Sequence, residues 1–275
     1  MLATPAPFLI AIGISAIIAL LAWHARSLSW SGAVAATVVG TVATRTSYGL
    51  GLYVIVWFAL ATVLSKIGKA KKSRRLQEIV EKGSQRDAWQ VLANGGVFAG
   101  ALGLAMQSAA TCSLAGVCDT HLVVAALGAL AAAGSDTWAT EIGTLAGGTP
   151  WSLRSASRVP AGTSGAVTVS GSLAMIGGAV ILALLAFAVG SVTDLRQVGA
   201  IAIGGVAGAL ADTLLGAWIQ ERRWCPRCTM ETEQRTHRCG TLTVHHRGLT
   251  GLNNDLVNFA CTIVGALVAL LLVLS

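Results

Sequence analysis

Long, uninterrupted apolar segments dominate the chain, and short polar stretches separate them. A membrane-spanning helix needs about 20 mostly apolar residues, whereas a membrane β-barrel would show alternating segments of about ten. Seven segments are candidates for such a helix: Pro7–Trp23, Leu50–Ser65, Ala88–Ser108, His121–Gly147, Gly171–Val192, Val198–Gln220 and Leu252–Leu274. An eighth, shorter segment, Ser31–Thr44, is rich in Gly, Ala and Thr and is predicted either to cross the membrane or to re-enter it.

This pattern predicts an all-α, polytopic membrane protein with about eight membrane segments, or seven and a re-entrant one, forming a single transmembrane domain over residues 1–275. Composition agrees: only 11% of the 275 residues are charged, against about 25% in soluble domains. A soluble enzyme and a disordered chain are both excluded. No Lys or Arg precedes Pro7, so we expect no cleaved signal peptide.

The basic residues are distributed very unevenly between the loops. The loop at residues 66–87 contains eight Lys and Arg residues, and the loop at residues 221–250 contains six. With eight crossings, one side of the membrane carries 17 of the 19, and the positive-inside rule makes that side cytoplasmic. The remaining basic residues are Arg26, Arg154 and Arg158 on the cytoplasmic side, and Arg45 and Arg196 on the opposite side. The net charge of +7 therefore does not indicate nucleic acid as a partner.

Several carboxylates and amides inside the predicted spans fall in the half nearer the basic loops. A carboxylate at bilayer depth costs on the order of a few kcal/mol, so it normally faces the bundle interior and serves a function. Asp136 and Glu141 are five residues apart, about 140° around a regular helix, so they do not both face one ion unless that helix is irregular. The site candidates among them are Gln90, Asn94, Asp136, Glu141, Asp212, Asn254, Asp255 and Asn258.

Oxygen ligands of this kind suit Mg²⁺, which proteins hold with one or two carboxylates together with substrate phosphates. Neighbouring Lys and Arg neutralise phosphate oxygens, so the combination indicates phosphoryl or nucleotidyl transfer at the membrane surface. Lys66, Lys69 and Arg158 are the expected phosphate contacts. Thr163 lies in a Pro/Gly/Thr turn at residues 159–165, which is either an anion site at a helix start or an ordinary capping turn. A transporter or lipid scramblase that uses intramembrane carboxylates is the alternative.

The loop at residues 221–250 contains Cys225, Cys228, His237 and Cys239. A CxxC followed by HxC has the character of a zinc knuckle, although the second half is compressed. Structural zinc and free or redox-active thiols both remain open, with His245 and His246 as substitute ligands. On the opposite side, Cys112 and Cys118 are close enough in sequence for a disulfide if that compartment is oxidising.

Four segments together resemble one integral-membrane family. It includes the phytyl-phosphate kinase of tocopherol synthesis in plants and cyanobacteria, and many uncharacterised bacterial, archaeal and animal members. The resemblance extends from Ser31 to Asn258 and rests on Gln90–Gly96, Ser135–Gly143, Ala211–Ala217 and Gly251–Asn258.

The resemblance implies phosphorylation of phytyl or another isoprenyl monophosphate to the diphosphate by a nucleoside triphosphate, with CTP as the expected donor. We expect catalysis by Asp136, Glu141, Asp212 and Asp255, with Mg²⁺ on Asp136, Asp212 and Asp255. The protein would be integral to a bacterial or archaeal plasma membrane or an organelle membrane, with its site facing the cytoplasm. Substrate and nucleotide contacts are assigned to Lys66, Lys69, Gln90, Asn94, Arg158, Thr163, Asn254 and Asn258.

Overall fold

The structure, a computed structural model, describes residues 5–69, 72, 85–108 and 119–275. These residues form eight helices, so the expected all-α polytopic membrane fold is confirmed. The helices are α1 (Phe8–His24), α2 (Trp30–Thr46), α3 (Tyr48–Lys66), α4 (Ala88–Ser108), α5 (Asp119–Ala146), α6 (Val169–Ala188), α7 (Leu195–Trp218) and α8 (Asn254–Leu274).

Helix starts and stops follow the local sequence. Polar residues precede several helices and accept a hydrogen bond from a backbone N–H of the first turn, which would otherwise have no partner. The acceptors are Ser29 before α2, Ser47 before α3, Thr168 before α6 and Asn253 before α8. At the other end of α5, Gly147 and Gly148 have φ angles of 86° and 94°, a left-handed conformation that ends the helix.

Six helices, α3 to α8, are long and apolar enough to span a membrane, and α1 is a shorter apolar helix of 17 residues. The 17-residue α2 runs from one end of the bundle to the other without a break. At its start, the Ser29 amide donates to the Arg86 carbonyl at 3.0 Å. At its end, Arg45 Nη1 donates to the Ala6 carbonyl at 2.6 Å. These contacts favour a crossing helix over a re-entrant one.

The described parts of four loops, at residues 25–29, 67–87, 147–168 and 219–253, lie at the same end of the bundle, which we call the basic end. This is the set of loops whose Lys and Arg residues were expected to share one side. The loops touch one another or neighbouring helix ends through Leu28 and Arg86, Gly68 and Leu145, and Ser164 and Gln220.

Helix α5 is the central element, because 67% of the residues in its most apolar stretch are buried. It packs with α7 and α8 along a line of glycines, Gly128, Gly204, Gly208 and Gly265, which we call the glycine seam. A Cβ on Gly208 would lie 2.6 Å from the Cys261 carbonyl oxygen, and one on Gly128 would lie 2.7 Å from that of Gly265. Small residues let helices in lipid approach backbone to backbone, and here they bring three helices together.

Two small antiparallel sheets cover the basic end. One consists of β1 (Trp151–Ser152), β2 (Ser157–Arg158) and β3 (Ala166–Val167), in the order β2-β1-β3. The other consists of β4 (Arg222–Cys225), β5 (Met230–Thr232) and β6 (Val244–Arg247), in the order β5-β4-β6. The second sheet, which we call the platform, joins the end of α7 to the start of α8.

Candidate functional site

The carboxylates of Asp136 and Asp212 approach each other inside the bundle. Ala132 of α5 contacts Gly208 of α7 in the glycine seam. Both helices run toward the basic end, and each Asp lies four residues further on, about 6 Å along the axis and on nearly the same face. The two are close enough for their charges to interact. Asp212 Oδ2 is buried and has no hydrogen-bond partner among the residues that the structure describes.

Helix α8 completes this site from the other direction. Cys261 lies close enough to sense the charges of Asp212 and Asp136. Asn258 precedes Cys261 by three residues, and Asn254 precedes Asn258 by four. Both therefore lie on the same face of α8 as Cys261 and nearer the basic end. Asn258 lies about 4.5 Å along the axis from Cys261, at a depth similar to that of the carboxylates, while Asp255 lies about 9 Å away, nearer the loops. Asp255 therefore lies nearer the loops of the basic end than the carboxylate pair does, and about 120° around α8 from the face of Cys261.

Helix α4 borders the same region through its own polar residues. Thr262 Oγ1 of α8 donates to the Ala93 carbonyl at 3.2 Å. Gln90 forms a reciprocal capping box with Asp87, and Asn94 Nδ2 donates to the Gln90 carbonyl at 2.8 Å. Gln90 thus has a local structural role at the start of α4, in addition to the contact predicted for it.

An apolar cavity lies between α1, α2, α3 and α4, and Gln90 and Asn94 line its polar end together with Arg86. The cavity extends to Thr44 and Gly51, near the other end of the bundle. The Arg86 guanidinium lies 5.5 Å from the centre of the Phe58 ring. Burial lowers the pKa of Arg86, and the negative charge of Glu141 opposes that shift. The result is an apolar slot with a cation and two amides at one end.

Glu141 occupies a separate position from the carboxylate pair. Helix α5 is continuous through both residues, so Glu141 points about 140° away from Asp136. It forms a salt bridge with Lys72 and accepts a hydrogen bond from Ser65 Oγ at 2.6 Å. Lys72 Nζ also donates to the carbonyls of Leu64, at 2.6 Å, and Ser65. This buried network ties the end of α3 to α5.

The residues predicted to contact phosphates are spread across the basic end. Lys66 and Lys69 are exposed at and after the end of α3, and Asn254 is exposed at the start of α8. Arg158, on β2, is also exposed. Thr163 Oγ1 donates to the Pro160 carbonyl at 2.8 Å within its turn.

That turn, at residues 159–165, packs against the end of α7. Ser164 Oγ donates to Gln220 Oε1, and Gly165 adopts a φ of 72° directly against Ala217, where a side chain would clash. The turn therefore has a packing role, and these contacts favour the capping interpretation over the anion-site interpretation.

Arg222 is a buried residue that the sequence pattern did not single out. Its side chain is fully buried at the start of β4, where Nη1 donates to Glu233 Oε1 at 2.7 Å. Nε and Nη2 have no hydrogen-bond partner in the described part of the chain. Glu233 is close enough to Asp212 for their charges to interact, and it also accepts from Gln220 Nε2 at 2.9 Å. Burial lowers the pKa of Arg222, and Glu233 opposes that shift.

The four residues of the CxxC and HxC motifs come together on the platform. One ligand atom from each of Cys225, Cys228, His237 and Cys239 lies within 4.8 Å of the others. Hydrogen bonding with Thr241 and then with His237 lowers the pKa of Cys239 to about 5.

The other His and Cys residues named from the sequence do not join this group. Nε2 of His245 lies 3.0 Å from the Gly248 carbonyl oxygen, and Nε2 of His246 lies 3.3 Å from Glu231 Oε1. The predicted pair Cys112 and Cys118 lies outside the described residues.

Comparison with known proteins identifies the family. The chain belongs to the integral membrane protein family DUF92, which matches residues 13–266. Protein PGR of Arabidopsis thaliana is 32% identical over 236 residues, which cover 78% of this chain and 80% of that protein. An uncharacterised membrane protein of Methanocaldococcus jannaschii, MJ0933, is 26% identical over 265 residues, which cover 96% of this chain and 93% of that protein. No solved structure matches significantly. The resemblance to an integral-membrane family is therefore confirmed.

Proposed function

We propose that this member of the DUF92 family is a membrane-embedded kinase. It would transfer the terminal phosphoryl group of a nucleoside triphosphate, with CTP as the expected donor, to phytyl or a related isoprenyl monophosphate. The observation that carries the proposal is the pair Asp136 and Asp212, held together inside the bundle with Asp212 Oδ2 lacking a partner among the described residues. Two such carboxylates repel each other unless a cation or a proton lies between them.

The donor set fits Mg²⁺. Asp136 and Asp212 provide carboxylate oxygens, the amide of Asn258 lies at a similar depth, and Asp255 lies nearer the loops of the basic end. Such a site leaves coordination positions for water and substrate phosphates, as Mg²⁺ prefers. When bound, Mg²⁺ would neutralise the phosphate charge that otherwise keeps two anionic substrates apart.

The reaction needs little covalent work from the protein. An oxygen of the lipid monophosphate attacks the terminal phosphorus of the nucleotide and forms the new P–O–P bridge. The bond between the terminal phosphorus and its bridging oxygen breaks, and its electron pair leaves with the nucleoside diphosphate. Because the acceptor phosphate is already anionic, positioning and charge neutralisation suffice without a general base. Lys66, Lys69 and Arg158 are the cations predicted for that task, and Arg86 and the buried Arg222 lie at the same end of the bundle.

The cavity between α1 and α4 supports a lipid as the acceptor. Its walls are mainly apolar over most of its length, and its polar end is formed by Arg86, Gln90 and Asn94. An isoprenyl chain would lie along the apolar walls, with its phosphate at Arg86. An ion transporter does not need an apolar slot of this kind, whereas the lipid-scramblase alternative would also use one.

A substrate panel tests the proposal. The purified protein is incubated with phytyl or geranylgeranyl monophosphate, Mg²⁺ and each nucleoside triphosphate in turn, and lipid diphosphate is detected by mass spectrometry. We expect diphosphate with at least one combination. Failure to form any diphosphate across the panel would overturn the proposal. Ion-dependent flux in liposomes that changes in Asp212→Asn, without product formation in the wild type, would favour the transporter alternative.

A further inference from the structure

The ligand atoms of Cys225, Cys228, His237 and Cys239 all lie within 4.8 Å of one another, close enough to hold one metal ion. The Sγ atoms of Cys225 and Cys239 are 3.6 Å apart, and His237 Nδ1 lies 3.3 Å from Cys239 Sγ. With zinc–sulfur bonds of about 2.3 Å and zinc–nitrogen bonds of about 2.0 Å, ligands of one tetrahedral zinc lie roughly 3.5–3.8 Å apart. We propose that these residues bind one structural Zn²⁺ on the platform.

Backbone hydrogen bonds in two turns hold the four ligand residues in place without any contribution from the ligand side chains. Cys225 begins a tight turn in which the Thr229 amide donates to the Cys225 carbonyl at 2.8 Å. A second turn, between His237 and Gly240, is closed by a 2.8 Å hydrogen bond from the Gly240 amide to the His237 carbonyl. Each turn presents two ligands toward the other, as the paired knuckles of a zinc site do.

A disulfide explains the cluster less well. A disulfide would join two of the three thiols at a sulfur–sulfur distance of about 2.05 Å. It would not explain why the third thiol and His237 lie beside the other two. His237 is 4% exposed, so its imidazole has been taken out of water at a cost that a metal bond would offset. A metal uses all four side chains, and a mixture of three thiolate sulfurs and one imidazole suits zinc.

The position of the site indicates what the metal does. The Leu249 amide donates to the Ile219 carbonyl at 2.9 Å, and the Glu221 amide donates to the Leu252 carbonyl at 2.8 Å. Arg247 Nη1 donates to the Ala217 carbonyl at 3.1 Å. Through these bonds the platform holds the end of the Asp212 helix against the start of the Asp255 helix. Four protein ligands leave no open coordination position, so the zinc would be structural and would fix this junction.

Metal analysis of the full-length protein, purified without a metal-affinity tag, tests the proposal directly. We expect about one zinc per chain, and an X-ray absorption spectrum that fits three sulfur ligands and one nitrogen ligand. This readout does not depend on any enzymatic activity. Folded, monodisperse protein without zinc would overturn the proposal, as would stoichiometric iron in place of zinc.

Variants separate loss of a ligand from general damage. We expect His237→Ala to lose the zinc and His237→Cys, which supplies a fourth thiolate, to retain it. Cys261→Ala removes a thiol outside the cluster and should leave the zinc content unchanged. Equal zinc content in wild type and His237→Ala would contradict the assignment. If His237→Ala does not fold, zinc in His237→Cys with a four-sulfur absorption spectrum still supports the site, and its absence from that folded variant counts against it.

Discussion

Two carboxylates meet inside the helical bundle, where an uncompensated charge is expensive. Asp136 and Asp212 come from different helices and interact through their charges, which ordinary helix packing does not require. The unpartnered Oδ2 of Asp212 is the atom most in need of a ligand in the described part of this site. A cation that binds phosphates would account for both features.

We expect Asp136→Asn and Asp212→Asn each to lower the rate of diphosphate formation by about 100-fold or more, the scale of losing one electrostatic group in a transition state. Asp194→Asn is the matched control. Asp194 caps the opposite end of α7 through a 3.0 Å bond from the Arg196 amide, and Asn caps equally well. The rates are measured by mass spectrometry at saturating nucleotide. Full activity in Asp212→Asn would remove it from the site.

The ion pair between Lys72 and Glu141 makes a separate prediction. Lys72→Met leaves Glu141 with a partly buried, unpaired charge, so we expect it to destabilise the protein by about 3 kcal/mol, at the lower end of the range for broken buried pairs. Adding Glu141→Gln should restore part of that loss, because the orphaned charge is removed. Thermal unfolding in detergent measures both effects. Additive losses in the double variant would show that the two residues are not coupled.

At this scale the sequence singled out the two carboxylates that meet inside the bundle but not the basic residues that are buried. Carboxylates inside apolar segments are conspicuous, so Asp136 and Asp212 stood out at once. Arg222 did not, because it is one of six Lys and Arg residues in its loop and the positive-inside rule explains any of them. Only the fold of the platform shows that Arg222 is fully buried beside Glu233. Lys72 was hidden for the same reason.

The glycine seam is the element that positions the carboxylates. In α7, a Cβ at Gly208 would meet Ala132 and the Cys261 carbonyl, whereas nothing lies within 4 Å of a Cβ at Gly199. We expect Gly208→Ala to push α5 and α8 away from α7, at a cost of about 1–3 kcal/mol, and to reduce activity. Gly199→Ala, on the same helix, should be tolerated. Equal unfolding temperatures for the two variants would contradict the seam.

Most helices were predictable because an apolar segment of sufficient length reports a membrane span directly. The boundaries shifted where local chemistry decided: α6 begins at Val169, after the capping Thr168, and ends at Ala188, before Gly190 with its φ of 70°. The six short strands were not predicted. They have two to four residues each and lie in polar loops, where no periodic pattern distinguishes a strand from a turn.

On the scale of the whole molecule, the protein is asymmetric along its length. Both sheets and the described parts of the basic loops lie at one end, and Asp136 and Asp212 lie in the half of the bundle nearer that end. With an even number of crossings, α1 begins and α8 ends at the other end. The positive-inside rule therefore predicts that the basic end faces the cytoplasm and the C-terminus faces outward.

Reporter fusions test this orientation in a bacterial host. Alkaline phosphatase, which is active only after export, should be active when fused after Ser275 and inactive when inserted at Ser155, in the exposed loop between β1 and β2. Fluorescent protein fusions at the same positions should give the reverse pattern. An inactive phosphatase at the C-terminus together with an active one at position 155 would invert the proposed orientation and place the site on the wrong side for cellular nucleotides.

Transfer of a labelled phosphoryl group is the measurement that tests the kinase account most directly. Protein is placed in liposomes that contain phytyl monophosphate, and Mg²⁺ and a nucleoside triphosphate labelled in its terminal phosphate are added. The nucleotide is one that gave lipid diphosphate in the substrate panel. The account predicts that the label appears as the terminal phosphate of the lipid diphosphate, one for each nucleoside diphosphate released, and that Asp212→Asn abolishes the transfer. Label found only in inorganic phosphate, or lipid diphosphate formed equally by Asp212→Asn, would contradict it.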